Sequence, residues 1–284
     1  MSFNNFINLI RYKSYLKNFI IFLPLFLNYT SWTVTNYSKL ILPLIFFSFL
    51  ASSIYIINDL IDIETDKKHQ FKKFRPIASG LVKFKTAIYI SLILATVSLL
   101  FFFKYSDFKV FILAISYFII NLFYSLFIKR IKFLDILFVT SGFFIRIYIG
   151  SIITNLVISN FFISQIILFS LFILICKRRE YFYFFDDKIN SKYSLKELNL
   201  FSKVFLILNI LNYLFYFIYG NRFSESFSLE ISFLIFIFLI IRYFNINLKN
   251  NNFDPISIYL KDNYLKLLSF TYILNFVLGF YGIY

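Results

Sequence analysis

Long apolar runs alternate with short polar segments along this chain, and the pattern predicts its helices. A helix needs about 20 mostly apolar residues to cross a bilayer. Nine runs approach that length: residues 15–35, 40–57, 86–103, 108–128, 133–153, 161–176, 203–220, 228–244 and 264–283. They are continuous rather than alternating with period two, which favours helices over barrel strands. We therefore predict an all-α polytopic membrane protein with nine transmembrane helices, forming a single domain over residues 1–284.

The composition supports this prediction and excludes several classes of protein. Hydrophobic residues make up 60% of the chain and charged residues 15%, whereas soluble domains average about 45–50% and about 25%. A disordered chain and an ordinary soluble enzyme are both excluded by these values. The single cysteine, Cys176, cannot form an internal disulfide, so a disulfide scaffold is excluded as well.

The basic residues are distributed very unevenly between the predicted loops. Of the 29 lysines and arginines, 23 fall in loops on one side of the predicted helices and 4 in loops on the other. Because basic loops stay in the cytoplasm, this favours an integral protein of the cytoplasmic (inner) membrane. Its N-terminus would be cytoplasmic and its C-terminus outside. Topology thus explains the net charge of +15, and we expect no nucleic-acid partner.

The first of two long cytoplasmic loops, residues 58–85, opens with the acidic string NDLIDIETD. At 100° per residue, Asn58, Asp59, Asp62 and Asp66 lie within about 100° on one helical face, and Glu64 lies on the far side. Clustered carboxylates repel one another unless a cation lies between them. One candidate for that cation is a hard divalent ion bound through oxygen ligands.

Mg²⁺ suits such ligands, and it usually keeps water and substrate phosphates in its coordination shell. The string therefore indicates a site for Mg²⁺ and a diphosphate. A second interpretation stays open, in which the string is a solvated helix end whose acids are neutralised by the lysines that follow.

Two basic groups could bind phosphate oxygens. Lys73 and Arg75 follow the acidic string, and Lys177, Arg178 and Arg179 open the second long loop, residues 177–202. The positive-inside rule by itself explains a basic first loop. For the second group, the positive-inside rule together with the helix dipole is as good an explanation as phosphate binding. Their role is therefore open on pattern alone.

The fifth apolar run contains Arg146, in the string SGFFIRIYIG. An ionisable residue at membrane depth is costly and indicates a functional site. Arg146 shares a helical face with Gly142, Gly150 and Asp135, so a purely structural ion pair with an aspartate is the alternative. In the fourth run, Tyr124 lies on a polar face, which is a weaker signal because uncharged polar residues often just bond neighbouring helices.

Taken together, these motifs resemble the UbiA superfamily of intramembrane prenyltransferases. The closer match is to the branch typified by decaprenyl-phosphate phosphoribosyltransferase. The shared patterns include NDxxDxxxD, a basic loop that ends in RPIASG, and GFxxRxxxG around Arg146. The branch pattern KRRxE appears here as KRRE, Lys177 to Glu180. The branch pattern RPxxWxKN appears here as RYKSYLKN, with Tyr12 and Tyr15 replacing proline and tryptophan, and a DP pair appears as Asp254-Pro255. The second aspartate cluster typical of aromatic prenyltransferases is absent, and KRRE occupies its place.

The resemblance implies a UbiA-like helical bundle with cytoplasmic active-site loops. It implies transfer of 5-phosphoribosyl from its diphosphate to a polyprenyl phosphate, with Mg²⁺ as cofactor, for cell-envelope glycan synthesis. Asp59, Asp62 and Asp66 would hold the metal and, with Arg146, act in catalysis. The implied substrate-binding residues are Lys17, Asn58, Lys73, Arg75, Tyr124, Lys177, Arg178 and Arg179.

Two other functions stay open at this point. A prenyltransferase would move a polyprenyl group from its diphosphate to a small aromatic acceptor. An ion or solute transporter would use the aspartates and Arg146 as an ion path, but transporters of many folds show internal repeats, and the sequence shows no clear one.

Overall fold

The computed structural model describes residues 2–28, 33–69, 71–184, 193–219, 227–249 and 255–280, and every regular element in these ranges is helical. The prediction of an all-α protein is therefore confirmed for this part of the chain. The α-helices are α1 Phe3–Leu9, α2 Leu23–Phe26, α3 Val34–Ile61, α4 Ile63–Lys68, α5 Phe84–Tyr105, α6 Phe108–Leu126, α7 Leu134–Thr154, α8 Asn160–Phe184, α9 Leu195–Tyr219, α10 Phe227–Lys249, α11 Pro255–Lys261 and α12 Asn263–Phe280. Three described segments are 3₁₀-helical: Tyr12–Phe22, Lys72–Phe74 and Ile128–Arg130.

Seven of the described helices, α3 and α5 to α10, are long and apolar enough to cross a membrane. They correspond to seven of the nine predicted spans. The last predicted span, residues 264–283, corresponds to α12, which has 18 residues. The first, residues 15–35, differs from a continuous helix: Tyr12–Phe22 is 3₁₀-helical and is followed by the four-residue α2.

The chain divides into two compact units, Met1–Ile158 (unit 1) and Ser159–Tyr284 (unit 2). In unit 1, α3 packs against α5, α6 and the 3₁₀ segment Tyr12–Phe22, and α7 packs against α6 and the same segment. The core between these elements is apolar and includes Phe47, Leu50 and Tyr117. This packing brings the C-terminal end of α3 next to the loops that follow α4 and α6.

Helix α5 shows how unit 1 is adapted to lipid. Its buried positions include Ala87, Ser91 and Ala95, which are spaced four residues apart, whereas Ile93 is 60% exposed and Leu100 is 65% exposed. Small residues let helices approach closely in a membrane, where the large apolar residues face lipid instead of water.

Unit 2 is built on two helix pairs, α8 with α9 and α10 with α12. Its core contains Phe172, Tyr213 and Ile240. The carboxylate of Asp262 accepts a hydrogen bond from the backbone N–H of Leu265 at 2.7 Å, which caps the first turn of α12. Arg242 also donates to Asp262, at 3.0 and 2.8 Å, and this hydrogen bonding lowers the pKa of Asp262.

Candidate functional site

The acidic string is divided between two helices at its centre. Helix α3 ends at Ile61, and Asp62 leaves helical geometry with φ −92° and ψ 6° before α4 begins at Ile63. Backbone hydrogen bonding continues on the far side of this junction, where the N–H of Asp66 donates to the carbonyl of Asp62 at 2.8 Å. The predicted shared face therefore forms around a helix break and not along one straight helix.

Asp59 and Asp66 converge on a single nitrogen. Nη1 of Arg75 donates to Oδ1 of Asp59 at 3.0 Å and to Oδ2 of Asp66 at 2.6 Å. Both carboxylates are buried, with 4% of each side chain exposed. The loop that carries Arg75 thus folds back onto the end of α3, and two of the three predicted metal ligands point at one positively charged position.

Asp62 has a different basic partner. The Nζ atom of Lys129 pairs with Oδ1 of Asp62, and Nδ2 of Asn58 donates to Oδ2 of Asp62 at 3.2 Å. Lys129 belongs to the 3₁₀ turn Ile128–Arg130 after α6 and is buried. A lysine buried against a carboxylate is held there by its charge, since leaving either group unpaired costs several kcal/mol, on the order of 3–5.

Arg11 supplies the third cation. Its guanidinium pairs with Oδ1 of Asp59 and lies 5.2 Å from the centre of the Tyr55 ring. The backbone of Arg11 is left-handed, with φ 53° and ψ 50°, which non-glycine residues adopt rarely. The three carboxylates are therefore matched by three cations that come from three different segments of unit 1.

These pairings bear on metal binding. Within the described residues, no three His, Cys, Asp or Glu side chains converge closely enough to hold a metal ion by themselves. Two oxygens, from Asp59 and Asp66, do converge on the nitrogen of Arg75. A hard cation would find two carboxylate oxygens there, and a bound substrate would have to complete its coordination.

The other residues singled out from the sequence near this cluster differ in their exposure. Glu64 is exposed and accepts a hydrogen bond from Lys67 at 2.9 Å, which lowers the pKa of Glu64. Lys73 is exposed, and its ammonium group lies 5.2 Å from the centre of the Phe74 ring. Lys17 is exposed on the 3₁₀ segment Tyr12–Phe22, and Tyr124 is half-buried on α6. Among the described residues, the side chain of Lys73 pairs with none of the three carboxylates.

Arg146 is buried in α7 among neutral groups. Its Nε donates to Oδ1 of Asn18 at 2.8 Å, Nη1 to the carbonyl of Gly142 at 2.7 Å, and Nη2 to the hydroxyl of Tyr117 at 2.9 Å. The guanidinium also lies 5.2 Å from the centre of the Phe47 ring. The structural alternative of an Arg146–aspartate pair is not formed among the described residues. Arg146 instead ties three helical segments of unit 1 together, and its catalytic role stays a prediction.

The basic string at the end of α8 lies in unit 2. Arg179 is buried, and its Nη1 donates to the backbone carbonyl of Asn247 at 2.8 Å and to the Asn247 side chain at 3.1 Å. Lys177 and Arg178 are half-buried. The side chain of Glu180, and Asp254, lie outside the described residues. Arg179 therefore donates hydrogen bonds to the C-terminal turn of α10. Substrate binding by Lys177, Arg178 and Arg179 stays a prediction.

Sequence reasoning missed two residues of the cluster, Arg11 and Lys129. Arg11 was noted in the positive-inside pattern and as the first residue of the string RYKSYLKN, and Lys129 only in the positive-inside pattern, so neither was assigned to the site. What distinguishes them is a tertiary contact with a carboxylate more than 40 positions away in the chain.

Comparison with known proteins gives a family for this arrangement. The sequence profile described as the UbiA prenyltransferase family matches residues 19–261. This range contains the acidic string, Arg75, Lys129 and Arg146.

Curated relatives match part of the chain. A protein named decaprenyl-phosphate phosphoribosyltransferase from Mycolicibacterium smegmatis is 35% identical over 141 residues, which is 50% of this chain and 44% of that protein. One of the same name from Corynebacterium glutamicum is 33% identical, over 46% of this chain and 40% of that protein. An uncharacterised protein from Sinorhizobium fredii is 30% identical, over 60% of this chain and 33% of that protein. The matches thus span between a third and a half of the length of these relatives.

Solved structures share the fold over nearly the whole chain. A UbiA homologue from Archaeoglobus fulgidus, bound to GPP and Mg²⁺, has a TM-score of 0.73 at 16% identity and covers 98% of this chain and 99% of its own. A structure of digeranylgeranylglyceryl phosphate synthase has a TM-score of 0.60 at 19% identity, with 99% of each chain covered. These structures show the shared fold, and the profile match over most of the sequence shows that the chain belongs to the UbiA prenyltransferase family.

Proposed function

We propose that this chain, a membrane-embedded transferase of the UbiA family, moves 5-phosphoribosyl from phosphoribosyl diphosphate to a polyprenyl phosphate with release of diphosphate. The product would serve the synthesis of cell-envelope glycans. Two relatives carry the name of an enzyme of this type, and the motifs shared with that branch are the reason to prefer this substrate pair.

One observation carries the proposal: the oxygens of Asp59 and Asp66 meet at one nitrogen of Arg75. Mg²⁺ is usually bound through one or two carboxylates together with substrate phosphates. Two convergent carboxylates with cations beside them therefore fit a metal that arrives with a diphosphate. Asp59 and Asp66 would hold Mg²⁺, and Asp62 would complete the site as a ligand or through water.

The neighbouring cations suit the phosphate oxygens. Arg75 can bind a diphosphate in bidentate fashion, and Lys129 adds a buried positive charge. From the resemblance, we extend substrate binding to a second set of residues in the same unit: Lys17, Asn58, Lys73 and Tyr124. From the same resemblance, we propose that Lys177, Arg178 and Arg179 of unit 2 bind phosphate. Arg179 has fewer donors available for this, because its Nη1 already donates to Asn247 of α10.

The reaction would be a substitution at the anomeric carbon. An oxygen of the lipid phosphate attacks C1 of the ribose, the bond from C1 to the diphosphate oxygen breaks, and the electron pair leaves with the diphosphate. When bound, Mg²⁺ supplies Lewis-acid stabilisation of the leaving group. Arg75 and Lys129 hold the diphosphate in position and offset its growing charge. The lipid phosphate is already ionised, so no general base is needed.

A second function has support from the structural neighbours. Archaeoglobus fulgidus homologues were solved with GPP or DMAPP and Mg²⁺, and both of these ligands are prenyl diphosphates. The same metal and diphosphate site would serve transfer of a prenyl group to a small acceptor. The third possibility, a transporter, loses its support because the chain belongs to a transferase family.

The active site is proposed to face the cytoplasm. In the nine-span topology, the N-terminus is cytoplasmic, the C-terminus is outside, and the loops that carry Arg75 and Lys129 lie on the inner side of the cytoplasmic membrane. A water-soluble phosphoribosyl diphosphate would then enter from the cytoplasm, and the polyprenyl tail would lie along apolar helix faces.

The proposal is tested by incubating purified protein and Mg²⁺ with labelled phosphoribosyl diphosphate and polyprenyl phosphate, then measuring label in extracted lipid. Asp66→Asn should lower turnover by about two orders of magnitude or more, since it removes a charged ligand at the leaving group. Glu64→Gln, two positions earlier and exposed, is the matched control and should leave turnover unchanged. Transfer from a prenyl diphosphate to an aromatic acid, without label in lipid, would select the second function.

A further inference from the structure

The 3₁₀ segment Tyr12–Phe22 lies along a polar stripe of α3. On α3, Ser48 and Ser52 are separated by about 40° and so lie on one face. Nδ2 of Asn18 donates to Oγ of Ser48 at 2.9 Å, and the hydroxyl of Tyr15 lies 2.9 Å from Oγ of Ser52. The 3₁₀ segment and α3 run in opposite directions, and these two hydrogen bonds fix one register between them.

The same stripe continues to the active-site end of α3. Asp59 falls within about 20° of the Ser48–Ser52 direction, and Arg11 pairs with it. Between these points, Oγ of Ser52 donates to the carbonyl of Ile10 at 2.7 Å. That bond fixes the backbone next to Arg11, whose left-handed conformation persists only where surrounding contacts hold it.

Helix α7 holds the other end of the segment. Arg146 donates to Asn18 at 2.8 Å. Gly150 lies so close to the segment that a Cβ atom there would overlap the carbonyl oxygen of Ile21 and lie 2.9 Å from its carbonyl carbon. The segment is therefore anchored by α7 at one end and aligned by α3 along its length.

We propose that Tyr15 and Asn18 are positioning residues, and that the register they set delivers Arg11 to the diphosphate beside Asp59. This inference rests on the proposed function and adds Arg11 to its substrate-binding groups. Arg11 is suited to that role because its side chain is 25% exposed while Asp59 is only 4% exposed. The guanidinium thus lies on the open side of the pair, where it can bind phosphate oxygens when a metal engages the carboxylate.

The test uses the full-length protein, with Mg²⁺ and inorganic pyrophosphate as the probe and calorimetry as the measurement. Arg11→Gln should weaken pyrophosphate binding by about tenfold or more, as expected for loss of a charged hydrogen bond, and Arg11→Lys should recover part of it. Lys13→Gln removes the same charge from an exposed position of the segment and should bind like the wild type.

Positioning is tested with the hydroxyl of Tyr15. Tyr15→Phe removes only the bond to Ser52 and should weaken pyrophosphate binding by about threefold to tenfold. In the transfer assay, KM for the diphosphate substrate should rise by a similar factor while kcat stays within about twofold. Tyr12→Phe, at an exposed tyrosine with no hydrogen bond among the described residues, is the control and should change neither value.

The outcomes separate this inference from the proposed function. Failure of the wild type to bind pyrophosphate with Mg²⁺ would overturn the proposed function and the inference with it. Normal binding by Arg11→Gln, alongside loss of binding by Asp66→Asn, would overturn the inference alone. A Tyr15→Phe protein that melts at a lower temperature yet binds pyrophosphate normally would show a purely structural role, which also contradicts the inference.

Discussion

At the scale of single residues, the candidate site is a set of acids and bases that neutralise one another. Asp59 forms ion pairs with Arg11 and Arg75. Arg75 also pairs with Asp66, and Lys129 pairs with Asp62. Such a balance lets three carboxylates stay together without mutual repulsion. If a metal ion replaced these cations as the partner of the carboxylates, the cations would lie close enough to bind the phosphate oxygens of a diphosphate.

Lys129 provides a direct test at this scale. Lys129→Gln should raise KM for the diphosphate substrate by about tenfold or more, because a charged hydrogen bond contributes roughly 1.5–3 kcal/mol. Arg130→Gln is the matched control, since Arg130 is the next residue and is exposed. Steady-state kinetics measures KM for both variants. An equal rise in KM would show that Lys129 contributes only general positive charge.

Arg179 and its neighbour Arg178 should respond differently to the same substitution. Arg179→Gln removes two charged hydrogen bonds to Asn247 at the end of α10, so the free energy of unfolding should fall by about 2 kcal/mol or more. Arg178→Gln should cost clearly less, because Arg178 is only half-buried. Thermal unfolding of the detergent-solubilised protein measures both. Equal stability of the two variants would contradict a structural role for Arg179.

At the scale of elements, the site depends on two places where helices depart from regular geometry. The break at Asp62 separates α3 from α4, so that Asp66 turns back toward Asp59 instead of continuing along one axis. The 3₁₀ form of Tyr12–Phe22 is held by hydrogen bonds to α3 and by close packing on α7. A regular α-helix over residues 15–35 would place Tyr15 and Asn18 in a different register.

Gly150 tests the packing between the 3₁₀ segment and α7. Gly150→Ala should lower the free energy of unfolding by about 1–3 kcal/mol, because the added Cβ would overlap the backbone of Ile21 and force the segment outward. Gly142→Ala is the comparison, since its Cβ would meet the end of the Arg146 side chain at 3.0 Å, where a small shift can relieve the contact. Thermal unfolding should rank Gly150→Ala as the more damaging change, and the reverse order would count against this packing.

At the scale of the whole molecule, the proposal requires that the loops with Arg75 and Lys129 lie in the cytoplasm. Helix α5 offers a matched test, because Lys85 and Lys104 are exposed residues near its two ends. In a Cys176→Ser background, Lys104→Cys should react with a membrane-impermeant maleimide in intact cells. Lys85→Cys should react only after the membrane is permeabilised. The opposite pattern would invert the topology and place the site outside.

Most of the helices, the membrane setting and the spacing of the three carboxylates could be predicted from the sequence alone. These features depend on local quantities: the length of an apolar run, the charge of a loop, and the spacing of acids within nine residues. Helix α5 follows from the length of its apolar run, and the exposure of Glu64 agrees with its predicted place on the far side of the acidic face.

Which base pairs with which acid depends on how the helices of unit 1 pack together. Arg11 and Lys129 lie 48 and 67 positions from their partners, and no local pattern says which carboxylate either of them contacts. The same holds for the 3₁₀ segment, whose form depends on serines of α3 and a glycine of α7. Long-range packing fixes such contacts because their free energy depends on groups that become neighbours only when the helices assemble.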